Sequence, residues 1–169
     1  MGLAPNAGSK RLVLSESNYA EIRAIVTELV VKTKARAIVF ADMNGHPICQ
    51  GGATGELDLA SLTALAAGEF SATAEIARLI GEPGKFRLLF HEGSRANVYI
   101  SSVAGTYLLL IIFDPSVALG IVRIFAHRAV TLLNKLLEEA RRAEEEAARF
   151  LDMEFGELLK RELERSFRG

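Results

Sequence analysis

Apolar residues recur at helical spacing in several stretches of the chain. The first stretch begins at Ser17 and follows the i, i+3, i+4, i+7 pattern of an amphipathic helix. Its apolar residues are Ile22, Ile25, Val26, Leu29 and Val30. A later stretch follows Asp114 and Pro115, a cap residue and a proline that suits the first helical position. From there the helical spacing continues to Leu137 and predicts a further helix.

Segment 57–80 predicts a central helix with two different faces. Asp58 can cap its first turn, and Gly81 and Pro83 end it. At 3.6 residues per turn the side chains separate into two stripes. The predicted core stripe holds Leu59, Leu62, Ala66, Thr73, Ile76 and Ile80. The second stripe holds small side chains and one arginine: Ala60, Ala64, Ala67, Ser71, Ala74 and Arg78.

The stripe of small residues has two interpretations. One is an ordinary alanine-rich helix, because alanine is the best helix former. The other is a contact face for a second chain, because an exposed helix usually carries Lys, Glu and Arg, and small side chains let another backbone come close. We favour the contact face.

Five segments predict strands. Segment 36–42 is β-branched and aromatic, and Asn44-Gly45 after it is a strong tight-turn signal. The returning strand, 47–50, should lie at a sheet edge because proline lacks an amide donor. Segment 106–113 is almost continuously apolar, so it should lie at the centre of the sheet with both faces covered. The other two predicted strands are 86–91 and 98–103.

The element order α-β-β-α-β-β-β-α predicts one α+β domain with an appendage. We divide the chain into a flexible N-terminus (1–14), a domain (15–138) and a C-terminal helix (139–169) that is first charged and then amphipathic. The apolar stripe of that last helix is Leu151, Phe155, Leu158, Leu159, Leu163 and Phe167. A short amphipathic helix has no core of its own, so this stripe must dock on its own domain, on a second copy or on a partner.

Composition excludes several classes of protein. The 169 residues include 20 basic and 21 acidic ones, well mixed, so phosphate electrostatics gives no reason to expect nucleic-acid binding. No apolar run approaches the roughly 20 residues of a membrane span, and the N-terminus has no signal-peptide pattern. Cys49 is the single cysteine, so no internal disulfide can form. These features favour a cytoplasmic protein.

Catalytic and metal-binding patterns are missing from the sequence. His46, His91 and His127 are scattered, and His91-Glu92 is not followed by a second histidine at HExxH spacing. Cys49 has no spacing motif that links it to a base. No nucleophile elbow, Walker or dinucleotide fingerprint occurs. We therefore expect a binding or regulatory module without cofactor, metal or active site of its own.

Three segments carry a family resemblance. They are SLTALAAGEFSATAEIARLIGE (61–82), FHEG (90–93) and LLLIIFDPSVALGIVRI (108–124). In this order and with this spacing they resemble the Roadblock/dynein light chain family, within it the bacterial MglB type, partner of the Ras-like GTPase MglA. The resemblance covers about four-fifths of the chain. The pair Glu69-Phe70 departs from it, since a small or polar pair is expected after Gly68.

The resemblance implies a fold and a dimer. The fold is a five-stranded antiparallel sheet of order 2-1-5-4-3, with the second helix on one face and the first and third on the other. Members of this family dimerise through the third strand and the second helix. The dimer-interface positions would be Gly68, Phe70, Ala72, Leu79, Phe86, Leu88 and Phe90.

The resemblance also implies a function. MglB-type homodimers, or higher oligomers, bind one MglA-like small GTPase and stimulate GTP hydrolysis without an arginine finger, in bacterial polarity and motility. They are also described as promoting nucleotide exchange, with the C-terminal helix implicated. The GTPase-binding positions would be Ala64, Ala67, Ser71, Ala74, Glu75 and Arg78.

Three alternatives stay open. The first is a non-catalytic Roadblock scaffold that recruits proteins through the second helix and the tail. The second is a metabolic enzyme, for which no convergent acid, base or nucleophile can be recognised. The third is an arginine finger supplied by Arg78, Arg87 or Arg95, with Arg78 favoured by position.

Overall fold

Eight elements follow one another in the computed structural model, which describes residues 12–166. They are α1 (Glu16–Thr33), β1 (Ala37–Asp42), β2 (Pro47–Gly52), α2 (Leu59–Leu79), β3 (Leu88–His91), β4 (Asn97–Val103), β5 (Tyr107–Phe113) and α3 (Leu119–Ser166). The predicted element order is confirmed. The expectations for residues 1–11 and for Phe167 lie outside the described residues. Leu12 and Leu14, at the start of the described chain, are half-buried against the core.

The five strands form one antiparallel sheet of order β2-β1-β5-β4-β3. This is the order that the family resemblance implied, so the expected fold class is confirmed. Strand β5 lies in the middle, and all seven of its residues are buried, as its continuous apolar sequence predicted. Strand β2 begins with Pro47 and forms one edge, where a missing amide donor costs no ladder bond.

Alternation along the strands produces two separate core layers. On one face, Val39, Leu108 and Leu110 pack against Ala66 and Phe70 of α2. The opposite face packs against α1 and α3, and its residues include Ile38, Phe40, Leu109, Ile111, Ile22, Val26, Leu133 and Leu137. Helix α2 alone therefore covers one face of the sheet, and two helices cover the other. No helix within residues 12–166 is long and apolar enough to cross a membrane.

Three predicted element boundaries are wrong, and the first is the end of β2, which lies at Gly52 instead of residue 50. Asp114 does not cap a helix: its carboxylate accepts from the Ser116 N–H at 2.8 Å and its carbonyl accepts from the Val117 N–H at 2.9 Å, which closes a turn before α3 begins at Leu119. Strand β3 begins two residues later than expected. In its register with β4, Phe86 would fall opposite Val103, the last residue of β4.

Helix α3 is longer and more regular than the sequence suggested. It runs without a break through 48 residues, from Leu119 to Ser166, which corresponds to about 72 Å at ~1.5 Å per residue. The domain boundary that we drew at residue 138 therefore falls inside one continuous helix. The charged segment and the amphipathic segment are both parts of α3.

The turn between β1 and β2 holds α2 in place. Gly45 has a φ of +86°, and a Cβ atom at this position would lie 2.5 Å from the Ala64 Cα. The Thr63 hydroxyl lies within hydrogen-bond distance of the Gly45 carbonyl and, at 2.7 Å, of the Leu59 carbonyl. The turn therefore approaches the first half of α2 at backbone distance, which only glycine allows.

We expect Gly45→Ala to lower the free energy of unfolding by about 2–4 kcal/mol, because a strained φ and a backbone overlap add together. Gly105→Ala is the matched control: its φ is +70° but a Cβ there meets nothing within 4 Å. It should cost only about 1 kcal/mol of strain. Urea unfolding at one fixed protein concentration measures both. Equal losses in the two variants would show that the contact between the turn and α2 contributes nothing.

Candidate functional site

The rotation of α2 about its axis differs from the predicted one. Its buried residues are Thr63, Ala66, Ala67, Phe70 and Ala77. Ile76 and Ile80, predicted for the core, are 50% and 66% exposed, whereas Ala67, predicted for the partner face, is 6% exposed. The Phe70 side chain determines this rotation, because its large ring fills the space above the sheet and the alanines on either side of it fit close to the strands. The predicted core stripe is therefore wrong in its second half.

An apolar ridge runs along the outer face of α2. We call it the α2 ridge: Leu65, Gly68, Ala72, Ile76 and Leu79, all exposed. Leu65 is 73% and Leu79 is 69% exposed. A Cβ atom at Gly68 would meet nothing within 4 Å, so the middle of the ridge is open. A contiguous row of this kind is typical of a protein contact surface.

A second exposed surface, the α2 flank, lies beside the ridge. It comprises Ala64, Ser71, Glu75 and Arg78. Arg78 Nη2 lies 2.5 Å from Glu75 Oε1. This hydrogen bond lowers the pKa of Glu75 and raises the pKa of Arg78, so both stay charged around neutrality. Of the two remaining predicted GTPase-binding residues, Ala74 is half-buried and Ala67 is buried beneath the flank.

Strand β3 forms the other edge of the sheet, next to the α2 ridge. It pairs with β4 on one side, and within residues 12–166 no strand pairs with its other side. Leu88 and Phe90 are half-buried on the α1 and α3 face. His91 links this strand to α2, because its Nε2 lies 2.8 Å from Glu69 Oε1. Glu69, which departs from the family pattern, therefore joins α2 to the edge of the sheet.

The predicted dimer positions lie on α2 and on or next to the edge strand β3, with the side chains of Leu88 and Phe90 on the sheet face opposite α2. Gly68, Ala72 and Leu79 lie on the α2 ridge, and Leu88 and Phe90 lie on β3, with Phe86 half-buried just before it. Phe70 is 7% exposed and packs within its own chain. The sequence analysis missed Leu65 and Ile76. Their spacing from Gly68 and Ala72 along one helix face was the available signal.

The C-terminal part of α3 projects away from the domain. From residue 149 to residue 166 every side chain is exposed. Seven large apolar side chains there are between 51% and 69% exposed: Phe150, Leu151, Met153, Phe155, Leu158, Leu159 and Leu163. The described part of the tail (149–166) therefore does not dock on its own domain. The sequence analysis left out Phe150 and Met153, which lie beside the predicted stripe.

Asp42, His46 and Cys49 lie at the end of β1, in the following turn and on β2. Burial raises the pKa of Asp42, but hydrogen bonds from the backbone and ring of His46 and from the Asn44 N–H outweigh it, so this pKa lies below its ordinary value. Burial raises the pKa of the Cys49 thiol, which makes it a poor nucleophile. Among the described residues, no three His, Cys, Asp or Glu lie close enough to hold a metal ion.

Comparisons with known proteins agree with this geometry. A model of the Roadblock/LC7 domain matches residues 22–113. Myxococcus xanthus MglB is 34% identical, with a TM-score of 0.72, over 76% of this chain and 96% of that chain. MglB from Thermus thermophilus, described as a gliding protein, is 30% identical, with a TM-score of 0.70, over 76% of this chain and 97% of that one. No curated protein sequence matches the chain.

A third solved structure, described as MglB with tetrameric arrangement, is 29% identical with a TM-score of 0.72 and covers 77% of this chain and 97% of that chain. The family match spans more than half of the sequence, from α1 to the end of β5. It includes the whole sheet and the α2 ridge. The chain therefore belongs to the Roadblock/LC7 domain family.

Proposed function

We propose that this protein is a homodimeric regulator that binds a small Ras-like GTPase of the MglA type and stimulates its GTP hydrolysis. The observation that carries the proposal is the pairing of two exposed surfaces on α2. The α2 ridge is apolar and lies beside a free sheet edge, which suits a second copy. The α2 flank combines the small side chains of Ala64 and Ser71 with the charged pair Glu75 and Arg78, which suits contact with a mobile loop of another protein. Similarity to MglB at 34% identity supports the same function.

The regulator has no active site of its own and needs no cofactor. In this proposal the GTPase supplies the reacting groups, and the dimer changes the conformation of the GTPase so that these groups reach the nucleotide. In this proposal Arg78 does not act as an arginine finger, and in the free chain its guanidinium donates hydrogen bonds to Glu75. We place the protein in the cytoplasm, in bacterial polarity or motility, and include nucleotide exchange as a second activity.

The dimer follows from the α2 ridge and β3 together. Two copies related by a twofold axis would pair their β3 edges and set their ridges side by side, so that the same patch serves both copies. Gly68 and Ala72 in the middle of the ridge allow the two helices to approach closely. Leu65 and Leu79 at its ends would then become buried, and large apolar side chains contribute most to such contacts.

We expect Leu79→Glu to dissociate this dimer, because it places a charge where an apolar contact is proposed. Leu79 is 69% exposed, so the folded chain tolerates the change. Val31→Glu on α1 is the matched control, at 70% exposure and far from the ridge. Sedimentation equilibrium should give half the mass for Leu79→Glu and an unchanged mass for Val31→Glu. An unchanged mass in both variants would remove the ridge from the interface.

We expect Ser71→Arg to abolish GTPase stimulation and leave the dimer intact. A long charged side chain in the middle of the α2 flank blocks close approach, at about the 1–3 kcal/mol cost of overpacking or more. Ser71 is the better site than Ala67, because an arginine at the buried Ala67 would disrupt the fold. Thr131→Arg, on the exposed surface of α3, is the control. Phosphate release from the GTP-loaded GTPase and sedimentation of the variant are the two measurements.

The same assay separates the runner-up function, a Roadblock scaffold that recruits other proteins through α2 and the tail. The exposed apolar tail is the observation that favours the scaffold. If the wild-type protein binds the GTPase and leaves phosphate release unchanged, the scaffold replaces the regulator. If Ser71→Arg stimulates as well as wild type, the GTPase site lies elsewhere.

Arg78→Ala tests the absence of an arginine finger. We expect stimulation to fall by less than about fivefold, which corresponds to one lost surface contact. An arginine finger is worth about 10³–10⁵ in rate, so the two outcomes are far apart. Glu75→Gln is the control, since it frees the Arg78 guanidinium without removing it. A loss of about a thousandfold with Arg78→Ala would establish Arg78 as a finger.

A further inference from the structure

The end of α1 lies beside the start of α3 on the face of the sheet opposite α2. The Arg36 N–H, which follows α1, donates to the Ile112 carbonyl at 2.8 Å, and Ile112 belongs to β5, the strand that leads into α3. Lys32 in the last turn of α1 and Phe125 near the start of α3 line the same furrow between the two helices. Side chains from both helices therefore form one continuous surface at this end of the domain.

Two apolar side chains project from this surface, away from the sheet. Val31 comes nine residues after the buried Ile22, and Ile124 comes two residues after the buried Val122. At about 100° per residue both positions face the side of their helix opposite the core. Val31 is 70% exposed, Ile124 is 68% exposed, and Ile121, one turn before Ile124, is 46% exposed. Aliphatic side chains of this size gain free energy when another apolar phase covers them.

The same surface carries an excess of positive charge, and we call it the basic end. Its basic residues, all exposed, are Lys32, Lys34, Arg36, Arg123 and Arg128. Its acidic residues are Glu28 on α1 and Asp114, whose carboxylate accepts from the Ser116 N–H. Helix α3 contains no acidic residue before Glu138. Within residues 12–166 none of the five basic side chains forms an ion pair, so their charges are open to a ligand.

The basic end is shallow. The furrow between α1 and α3, whose walls include Glu28 and Arg128, has a volume of only about 20 Å³. Pockets that enclose a small molecule measure about 300–1,000 Å³, and recognition of a peptide helix needs a hydrophobic groove. Projecting aliphatic side chains surrounded by cations are instead suited to a bilayer, whose headgroups attract the cations and whose acyl chains receive the apolar groups.

We propose that the basic end binds a lipid bilayer that contains anionic lipid. The five cations lie among the headgroup phosphates, and Val31 and Ile124 enter the boundary between the headgroups and the acyl chains. An acidic segment of another protein would satisfy the charges as well, but the furrow offers it no groove in which to bind. The bilayer accounts for both the charges and the projecting side chains.

Lipid binding of this kind leaves both surfaces of α2 free. Helix α2 covers the opposite face of the sheet, so the α2 ridge and the α2 flank point away from the bilayer. Two copies that pair their β3 edges antiparallel keep the same sheet face on the same side, because the twofold axis is then perpendicular to the sheet. A dimer thus presents two basic ends to one bilayer, which strengthens binding through avidity. Only this avidity rests on the proposed function.

Cosedimentation of the full chain with vesicles tests the proposal. Wild type should bind vesicles of phosphatidylcholine mixed with phosphatidylserine, stay in solution with phosphatidylcholine alone, and be released as salt is raised. Lys32→Gln with Arg128→Gln should weaken binding about 25-fold, at about fivefold for each removed charge. Val31→Ser with Ile124→Ser should weaken it about tenfold, because the apolar groups no longer enter the bilayer. All four residues are exposed, so the domain stays folded.

Lys160→Gln with Arg161→Gln is the matched control, since it removes the same two charges from the exposed tail. It should leave vesicle binding unchanged. An equal loss in the control and in the Lys32/Arg128 variant overturns the proposal, because binding would then follow the net charge or the tail. Wild type that stays in solution with both kinds of vesicle also overturns it and leaves an acidic protein as the partner of the basic end.

The outcome is separate from that of the proposed function, because the vesicle measurement contains no GTPase. Leu79→Glu should retain vesicle binding at reduced strength, through the loss of avidity alone. A protein that binds anionic vesicles and leaves GTP hydrolysis unchanged would keep the basic end and lose the regulator. The opposite result would keep the regulator and overturn the basic end.

Discussion

Burial of β5 on both faces is the constraint on which the rest of the structure depends. Seven consecutive residues from Tyr107 to Phe113 have no polar side to turn toward water. A sheet that contains such a strand at its centre must be covered twice, and each cover must present an apolar stripe. Helices α1 and α3 share one face. Helix α2 has the other face to itself, so its outer side stays exposed.

This division explains why the α2 ridge and the α2 flank stay uncovered in the single chain. A single helix over a five-stranded sheet buries one stripe and exposes the rest, whereas two adjacent helices also cover each other. The turn at Gly45 and the pair of Glu69 with His91 hold α2 at its first half and its middle. Its second half, with Ile76 and Leu79, has fewer such links. A fixed helix with an uncovered apolar ridge is suited to form an interface without first reorganising.

The sequence was sufficient for the fold and insufficient for the rotation of α2. Strand positions followed from continuous apolar runs, from Pro47 at the edge and from the Asn44-Gly45 turn, each of which has one common structural meaning. The sheet order came from the family resemblance, since several pairings are compatible with one strand list. Small side chains occur on both candidate faces of α2, so side-chain volume could not show which face is buried. Only the fit of the Phe70 ring above Val39 and Leu110 decided which alanines point inward.

The course of the tail could not be read from the chain either, because an amphipathic stripe is the same whether it lies on its own domain or projects from it. The unbroken helix from Leu119 to Ser166 has a mechanical consequence. Gly156 weakens its free part by about 1 kcal/mol relative to alanine, and no loop separates the anchored part from the free part. Helix α3 is therefore a rod whose longer part, up to residue 148, is packed on the domain: a sideways displacement at its tip is transmitted to the layer beneath the sheet instead of being absorbed by a hinge.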